Sequence, residues 1–276
     1  MAWSTGWCPA IGRSIAAAFL LTGLAGCSGA DFVVPQVSDA EISKASLAVS
    51  SGPSDLPKFH RSNDEYRRML DGIAHRLTAS APGLCTYAKV KNCTIDIKFK
   101  DEDTVNAYAD GENSVTMLRG LLDELQTEDE IAAVVGHEFG HHLGNHIEEK
   151  TQNAMIGAII GGLLAGGAAA AAGGDGTESA QAAGAGVGIG AGIGALSYSK
   201  SEEREADLLS AYLLARAGYD LHKAGRVWWV LAQQDKDHVK SSLFDTHPAG
   251  PERMAAWDKA IVEVENSPNK LPTWNP

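Results

Sequence analysis

The pentapeptide His137-Glu138-Phe139-Gly140-His141 is an H-E-x-x-H motif, and the rest of the chain is organised around it. Residues four apart in an α-helix lie on one face, so the imidazoles of His137 and His141 can converge on a single metal ion. Glu138 lies beside them, where its carboxylate can take a proton from a water molecule that the metal activates. If the segment is helical, the motif predicts a site for one Zn²⁺ with a general base.

Local signals indicate that the motif lies on a helix. Thr127 and Glu130 form a capping box, in which each side chain accepts a hydrogen bond from the other residue's backbone N–H. Gly136 and Gly140 lower the helix propensity by about 1 kcal/mol each relative to alanine, but they would let another backbone approach closely. An apolar stripe shares the register of the cap and the motif and consists of Ile131, Val134, Val135, Phe139 and Leu143. A helix that carries its histidines by chance is the weaker alternative.

A third ligand must come from elsewhere in the chain, because a catalytic zinc site uses three protein ligands and keeps one position for water. The segment Ser201 to Ala217 has helical periodicity and begins with several acids. Its Glu203 and Asp207 are four apart, so one can bind the metal while the other orients a ligand. For this helix taken alone, a solvated acidic face is the favoured interpretation. His146, in a second histidine pair without a glutamate, either orients a neighbour or faces solvent.

Composition limits the class of protein. The 276 residues suffice for one sizeable domain with additional segments, and the hydrophobic content of 44% supports an ordinary core. The chain has 23 basic and 35 acidic residues, which gives a net charge of −12. This balance, without any Lys/Arg run that has interleaved aromatic residues, argues against a nucleic-acid-binding surface.

The N-terminus has the pattern of an exported bacterial lipoprotein. Residues 1–26 are predicted to be a signal peptide, because their apolar core of about ten residues is too short to span a membrane. The L-A-G-C sequence at positions 24–27 resembles the bacterial lipobox, which implies cleavage before Cys27 and attachment of lipid to it. Ser28 at the next position favours, by analogy, the outer membrane of a Gram-negative cell. Ordinary secretion with Cys27 unmodified is the alternative.

Export also determines how the next segment and the cysteines are interpreted. Residues 27–60 are rich in Ser, Ala, Pro and Asp without sustained periodicity, and are predicted to form a tether between the lipid and the folded domain. Cys85 and Cys93 are the cysteines that remain once the signal peptide is removed and Cys27 carries lipid. In an oxidising compartment they should form one disulfide. Metal ligation is the alternative, but their spacing does not fit a zinc knuckle.

The segment before the motif predicts a helix and a small sheet. Apolar residues recur at helical spacing from Ser62 to Leu77. Residues 93–100 then alternate between apolar and polar side chains, which is typical of a half-buried strand, and residues 114–117 can form a second strand. The predicted fold class is α+β and mainly α, with a small antiparallel sheet ahead of the H-E-x-x-H helix. An exposed edge strand could pair with an extended peptide substrate or simply close the core.

Residues 151–199 differ in composition from the rest of the domain. Fourteen of the 30 glycines lie between Gly157 and Gly194, and the stretch from Thr151 to Gly174 carries no charge. Gly and Ala are too weakly hydrophobic to predict membrane spans, although each half of the segment is long enough. Small residues at intervals of four permit close packing, so we predict a hairpin that lies against a membrane or covers the active site. A disordered insert is the alternative.

Together these motifs resemble the HtpX-like gluzincin metallopeptidases, which include the CAAX-prenyl endopeptidases and periplasmic BepA-like and LoiP-like members. The resemblance runs from about residue 95 to residue 260. It is carried by V-G-H-E-F-G-H at 135–141, E-x-x-A-D at 203–207 and T-H-P at 246–248. The resemblance implies a zincin-type metallopeptidase domain, which we place at residues 61–265 with a C-terminal tail over 266–276.

The resemblance also implies roles for single residues. Glu203, the first acid of E-x-x-A-D, would be the third ligand of the single Zn²⁺. Asp207 would orient a ligand, and we interpret His146 as a second residue of this supporting kind. His247 would lie near the metal, where it assists catalysis or regulates the site.

The sequence thus predicts a zinc metalloendopeptidase that is anchored by lipid to the bacterial outer membrane and faces the periplasm. By resemblance, its substrates would be misfolded or misassembled envelope proteins, and its partners would include envelope assembly machinery. An assembly factor or chaperone with a latent zinc site is the alternative, because His247 as a fourth ligand would close a catalytic site into a structural one. An integral-membrane protease is a third alternative, which depends on the Gly/Ala-rich insert.

Overall fold

The computed structural model describes residues 30–53, 56–110, 114–194, 198–236 and 250–275. The predicted signal peptide and Cys27 lie outside these ranges. Within them the fold is α+β and mainly α, as predicted. The elements in chain order are α1 (Asp39–Ser50), α2 (Asn63–Ser80), α3 (Pro82–Tyr87), β1 (Asp96–Lys100), β2 (Ala107–Asp110), β3 (Ser114–Leu118), α4 (Arg119–Glu124), α5 (Glu128–Leu143), α6 (His146–Ala171), α7 (Gly176–Gly194), α8 (Lys200–Arg216), α9 (Leu221–Ala224), α10 (Arg226–Lys236) and α11 (Pro251–Asn266).

Helices α5 and α8 form the centre of the domain and pack against each other. Helix α5 begins after Thr127, which forms the predicted capping box with Glu130. A Cβ at Gly140 would lie 2.9 Å from the Cα of Ala206, so the close approach of the two helices requires glycine at this position. Gly136 lies similarly close to side chains of α8. The glycines that weaken α5 as a helix therefore bring the acidic start of α8 against its histidine face.

The sheet has three strands in the order β1-β3-β2. Strand β2 pairs with β3 in antiparallel fashion, whereas β1 pairs with β3 in parallel, with Asp96 opposite Ser114. The sheet is therefore mixed, and the prediction of an antiparallel sheet is wrong for β1. The alternation of apolar and polar residues reports which face of a strand is buried, and it does not report which strand lies beside it. Strands β1 and β2 form the edges, and β3 is buried along its whole length.

The segment predicted as a tether is largely folded. Helix α1 begins after a capping box and packs on α11. Ahead of it, Phe32 forms a β-bridge with Trp274, and the N–H of Val33 donates to the carbonyl oxygen of Thr273 at 2.8 Å. The predicted C-terminal tail therefore holds the N-terminal segment in place. The tether prediction is wrong for α1. Val49 is the one fully buried residue of this helix, and most of its other residues are small or polar, so the apolar signal in its sequence is weak.

Helices α6 and α7 form a helical hairpin in the Gly/Ala-rich segment, where a hairpin is predicted. Gly173, with a φ of 88°, lies in the turn between them. The helices approach so closely that a Cβ at Gly166 would lie 3.0 Å from the Cβ of Ala183. None of the described helices combines the length and the hydrophobicity that a membrane crossing requires.

A disulfide joins Cys85 to Cys93, as predicted. Cys85 is buried in α3, whereas Cys93 lies half-buried just before β1. Their Cα atoms are 6.1 Å apart. The bond therefore fixes the connection between the helical layer and the first strand of the sheet.

Candidate active site

Two histidines of α5 and one glutamate of α8 converge in the interior of the domain. His137 Nε2 lies 3.2 Å from His141 Nε2, and these atoms lie 3.5 and 3.4 Å from the two carboxylate oxygens of Glu203. All three side chains are buried. Among the described residues they are the one group of His, Cys, Asp or Glu side chains that could hold a metal ion. Two imidazole nitrogens and one carboxylate are a donor set of catalytic zinc sites.

Asp207 fixes the orientation of His137. Its Oδ1 accepts a hydrogen bond from His137 Nδ1 at 2.9 Å. The guanidinium of Arg253, from α11, donates to both Asp207 oxygens, at 2.9 Å through Nε and at 2.7 Å through Nη2. Its Nη1 also lies 3.0 Å from Glu203 Oε2. Burial by itself would raise the pKa of Asp207, but the neighbouring Arg253 and His137 hold this pKa below its usual range.

His146 and Glu205 form a corresponding relay behind His141. Asn145, with a φ of 62°, reverses the chain between α5 and α6, so that His146 folds back to the site. His146 Nδ1 lies 3.0 Å from His141 Nδ1, and His146 Nε2 donates to Glu205 Oε2 at 2.7 Å. The other oxygen of Glu205 accepts a hydrogen bond from the backbone N–H of Phe32 at 2.6 Å. Burial raises the pKa of Glu205, and the hydrogen bond from His146 opposes this rise.

The partners on the Nδ1 side of the two rings are compatible with metal binding at Nε2. Asp207 Oδ1 lies 2.9 Å and Arg253 Nη2 lies 3.1 Å from His137 Nδ1, and His146 Nδ1 lies 3.0 Å from His141 Nδ1. With the ring protons on Nδ1, both Nε2 atoms and the carboxylate of Glu203 would offer lone pairs to one cation between them. The residues of the site thus fit a divalent metal ion.

Comparison with known proteins assigns the family. Residues 75–261, more than half of the chain, match the model of peptidase family M48. The chain belongs to peptidase family M48. It is also similar to Metalloprotease LoiP from Escherichia coli (strain K12), with 29% identity over 227 residues, which are 82% of this chain and 83% of the relative. The M48 protein described here is therefore a metalloprotease, a hydrolase of peptide bonds with a mainly helical zincin fold.

Glu138, which follows the first histidine of the M48 site, is buried on α5. Tyr198 lies beside it, with its ring stacked on that of His141 at a centroid distance of 3.8 Å. Burial raises the pKa of Tyr198, and the carboxylates of Glu138 and Glu203 add to this rise. Lys150 Nζ lies 4.2 Å from the centroid of the same tyrosine ring. An aromatic ring and a cation therefore lie next to His141 at the edge of the site.

A cleft of about 310 Å³ opens beside Glu203. Its walls include Ile42 of α1, Lys200 of α8 and Glu252 in the first turn of α11. Glu203 and Arg253 also line this cleft, so it reaches the carboxylate side of the metalloprotease site. His247 and the T-H-P motif lie outside the described residues, so the role of His247 stays a prediction.

Three residues at the site received no role from the sequence. Arg253 lies in the segment that resembles the gluzincins, six residues after His247, but no spacing rule connects it to Asp207. Glu205 follows Glu203 by two positions, which turns it roughly 200° around the helix and away from the metal. Tyr198 precedes the predicted acidic helix. All three contribute through tertiary contacts, which no local sequence pattern describes. Conservation across an alignment of the family is the sequence information that could identify them.

Replacing His146 with Ala should weaken metal binding by about 10–100-fold, because His141 loses the acceptor that fixes its tautomer and orientation. A competition titration of the metal-free protein with a chromogenic chelator measures this affinity. His142→Ala is the matched control, since His142 Nε2 instead contacts the backbone oxygen of Asn92 at 2.9 Å. Equal affinities for the two variants would show that His146 does not support the metal site.

Proposed function

We propose that this M48 metalloprotease is a zinc endopeptidase of the bacterial cell envelope, which cleaves misfolded or misassembled proteins. The observation that carries the proposal is the convergence of two imidazole Nε2 atoms and the Glu203 carboxylate in one buried place. Zinc is the divalent ion that best matches two imidazoles and one carboxylate with a position left for water.

The residues of the site divide the work of peptide hydrolysis. His137, His141 and Glu203 would hold the ion, while Asp207 keeps the first imidazole in the correct tautomer. Bound Zn²⁺ supplies Lewis acidity that polarises the scissile carbonyl. Glu138 would take the proton of the attacking water and deliver it to the leaving amine.

The location we propose is the periplasmic face of the outer membrane, with a lipid on Cys27 as the anchor. The lipobox-like sequence ending at Cys27 supports the anchor. The disulfide between Cys85 and Cys93 fits an oxidising compartment. Misassembled envelope proteins would be the substrates within reach there, and the envelope assembly machinery would be the partner that exposes them.

Removal and return of the metal test this function. Treatment with a chelator should abolish the cleavage of casein, a substrate without stable folded structure, and one equivalent of Zn²⁺ should restore it. Zinc content is measured on the same samples, so that activity is compared with occupancy. Cleavage that persists in fully metal-free protein would refute the proposal. Cleavage restored by another divalent ion but not by Zn²⁺ would refute the choice of zinc.

A further inference from the structure

Helix α6 exposes a row of large apolar side chains, which we call the α6 stripe. Its four members are 60–71% exposed. They are Met155, Ile159, Leu163 and Leu164. The first three are spaced four apart and so lie along one side of the helix. With a rise of about 1.5 Å per residue, the α6 stripe begins about 14 Å and ends about 27 Å from the start of α6. The segment around it, from residue 151 to residue 174, carries no charge.

The N-terminal segment is fixed at the base of the same hairpin. Phe32 N–H and His146 Nε2 donate to the two oxygens of one carboxylate, that of Glu205, at 2.6 and 2.7 Å. Asn275 pins the preceding residues, because its N–H donates to the carbonyl oxygen of Asp31 at 2.8 Å and its side chain donates to that of Ala30 at 3.1 Å. The chain that leads back to Cys27 therefore starts next to the first turn of α6.

The distance from this point to the proposed lipid is short. Cys27 precedes Ala30 by three residues, so a fully extended chain separates their Cα atoms by about 11 Å at most. A lipid on Cys27 would therefore hold the bilayer surface close to the base of a hairpin whose longer helix measures about 39 Å. A long flexible tether would not impose this proximity, but the structure fixes the chain from Ala30 onward.

We propose that the α6–α7 hairpin lies on the bilayer, with the α6 stripe among the lipid headgroups and upper acyl chains. The inference rests on the lipidation proposed for Cys27 and adds a second, non-covalent membrane contact to it. A lipid on one cysteine holds the chain at a single point and leaves the domain free to rotate about it, whereas contact through an exposed apolar helix face also fixes the orientation. This contact would also place the active site near the membrane surface, because His146 at the start of α6 contacts His141. The protease thus works at the membrane surface, where misassembled membrane proteins expose chain.

The charges of the hairpin determine how it lies. Asp175 lies in the turn between α6 and α7, Glu178 lies in the first turn of α7, and both are exposed. Insertion of the tip would bury these two carboxylates in hydrocarbon, which is strongly unfavourable. A hairpin that lies flat keeps them in water and still buries the α6 stripe. The hairpin is thus an interfacial element, in agreement with the absence of a membrane-crossing helix among the described residues.

Tryptophan fluorescence in vesicles tests the proposal on the full chain. Leu163→Trp places a probe on the α6 stripe, and Val262→Trp places a matched probe on α11, where Val262 is 55% exposed. The protein is transferred to vesicles of phosphatidylethanolamine and phosphatidylglycerol that contain phosphatidylcholine brominated on its acyl chains. We expect a blue shift and strong quenching of the fluorescence added at position 163 and neither at position 262, each measured as the difference from the unsubstituted chain with its native tryptophans. Equal quenching at both positions, or none at 163, would overturn the proposal.

A second pair of variants tests the chemistry of the contact. Ile159→Asp, combined with Leu163→Trp, should abolish the quenching, whereas Leu47→Asp on α1 should leave it unchanged, although Leu47 is 68% exposed. Unchanged quenching with Asp at 159 would overturn the proposal. So would a protein dimer seen by light scattering without vesicles and disrupted by the same variant, because a second copy would then cover the α6 stripe.

The fluorescence shift and the quenching do not depend on proteolysis, so they can be measured even if the protein has no peptidase activity. Mass spectrometry of the N-terminal peptide reports the lipid on Cys27 separately. A chain without that lipid would remove the geometric basis of the proposal while leaving the zinc endopeptidase assignment intact.

Discussion

Glu138→Gln should reduce casein cleavage by about 10²–10⁴-fold, because the amide retains the shape of the carboxylate but cannot accept a proton from the attacking water. The three candidate metal ligands, His137, His141 and Glu203, are unchanged in this variant, so its zinc content should equal that of the wild type. The prediction concerns one proton transfer, and it therefore separates the chemistry of Glu138 from the integrity of the site. Initial rates at several casein concentrations, together with zinc analysis, measure both quantities.

Glu148→Gln is the matched control for this experiment. Glu148 lies in the first turn of α6, near the site, but it is exposed to solvent. Its neutralisation should leave the rate within a factor of about 2, as expected for a surface substitution. Undiminished turnover in Glu138→Gln would remove Glu138 from the role of general base. A simultaneous loss of zinc would instead assign Glu138 to the support of the metal site.

The parts of the site that follow from local geometry could be predicted from the sequence. His137, Glu138 and His141 belong to one helical turn, and the capping box and apolar stripe set the register of that helix. Glu203 is separated from them by more than sixty residues. The apolar periodicity predicts the helix that carries Glu203. The family resemblance then indicates Glu203, among the acidic residues of that helix, as the metal ligand. Arg253 comes from a third helix, whose docking no local pattern describes.

The same division applies to the fold. Helix α2 was predictable because Tyr66 and three further apolar residues of its sequence are buried on one side. Helix α1 packs through small and half-buried side chains, so the apolar period in its sequence is weak. The parallel pairing of β1 with β3 depends on the path of the connection through β2, which the pattern of each strand does not encode. Helix α5 retains Gly136 and Gly140 against its own propensity because α8 needs their space, which is a tertiary requirement.

Arg253→Ala should destabilise the metal-free protein by about 3–5 kcal/mol, because it leaves buried carboxylates without their cation. Arg253 is 5% exposed, binds both oxygens of Asp207 and lies 3.0 Å from Glu203 Oε2. Its guanidinium also lies over the ring of Trp228, at 4.0 Å from the centroid. Urea unfolding in the presence of a chelator, followed by fluorescence and circular dichroism, measures the free energy of unfolding.

Two further variants show whether the loss comes from charge or from geometry. Arg253→Lys keeps the positive charge but cannot bind two oxygens through a planar fork, so it should fall between the wild type and Arg253→Ala. Arg67→Ala removes an exposed ion pair with Asp64 and a contact at 5.2 Å with the ring of Phe99, and its effect should stay within about 1 kcal/mol. If Arg253→Ala were as mild as Arg67→Ala, the carboxylates at the site would have to be stabilised by protonation or by water, and Arg253 would not be the counter-charge that holds the empty site together. Arg253 holds Asp207, and Asp207 orients His137. Arg253→Ala should therefore also weaken zinc binding by about 10–100-fold. The stability of the protein and its affinity for zinc thus depend on one guanidinium.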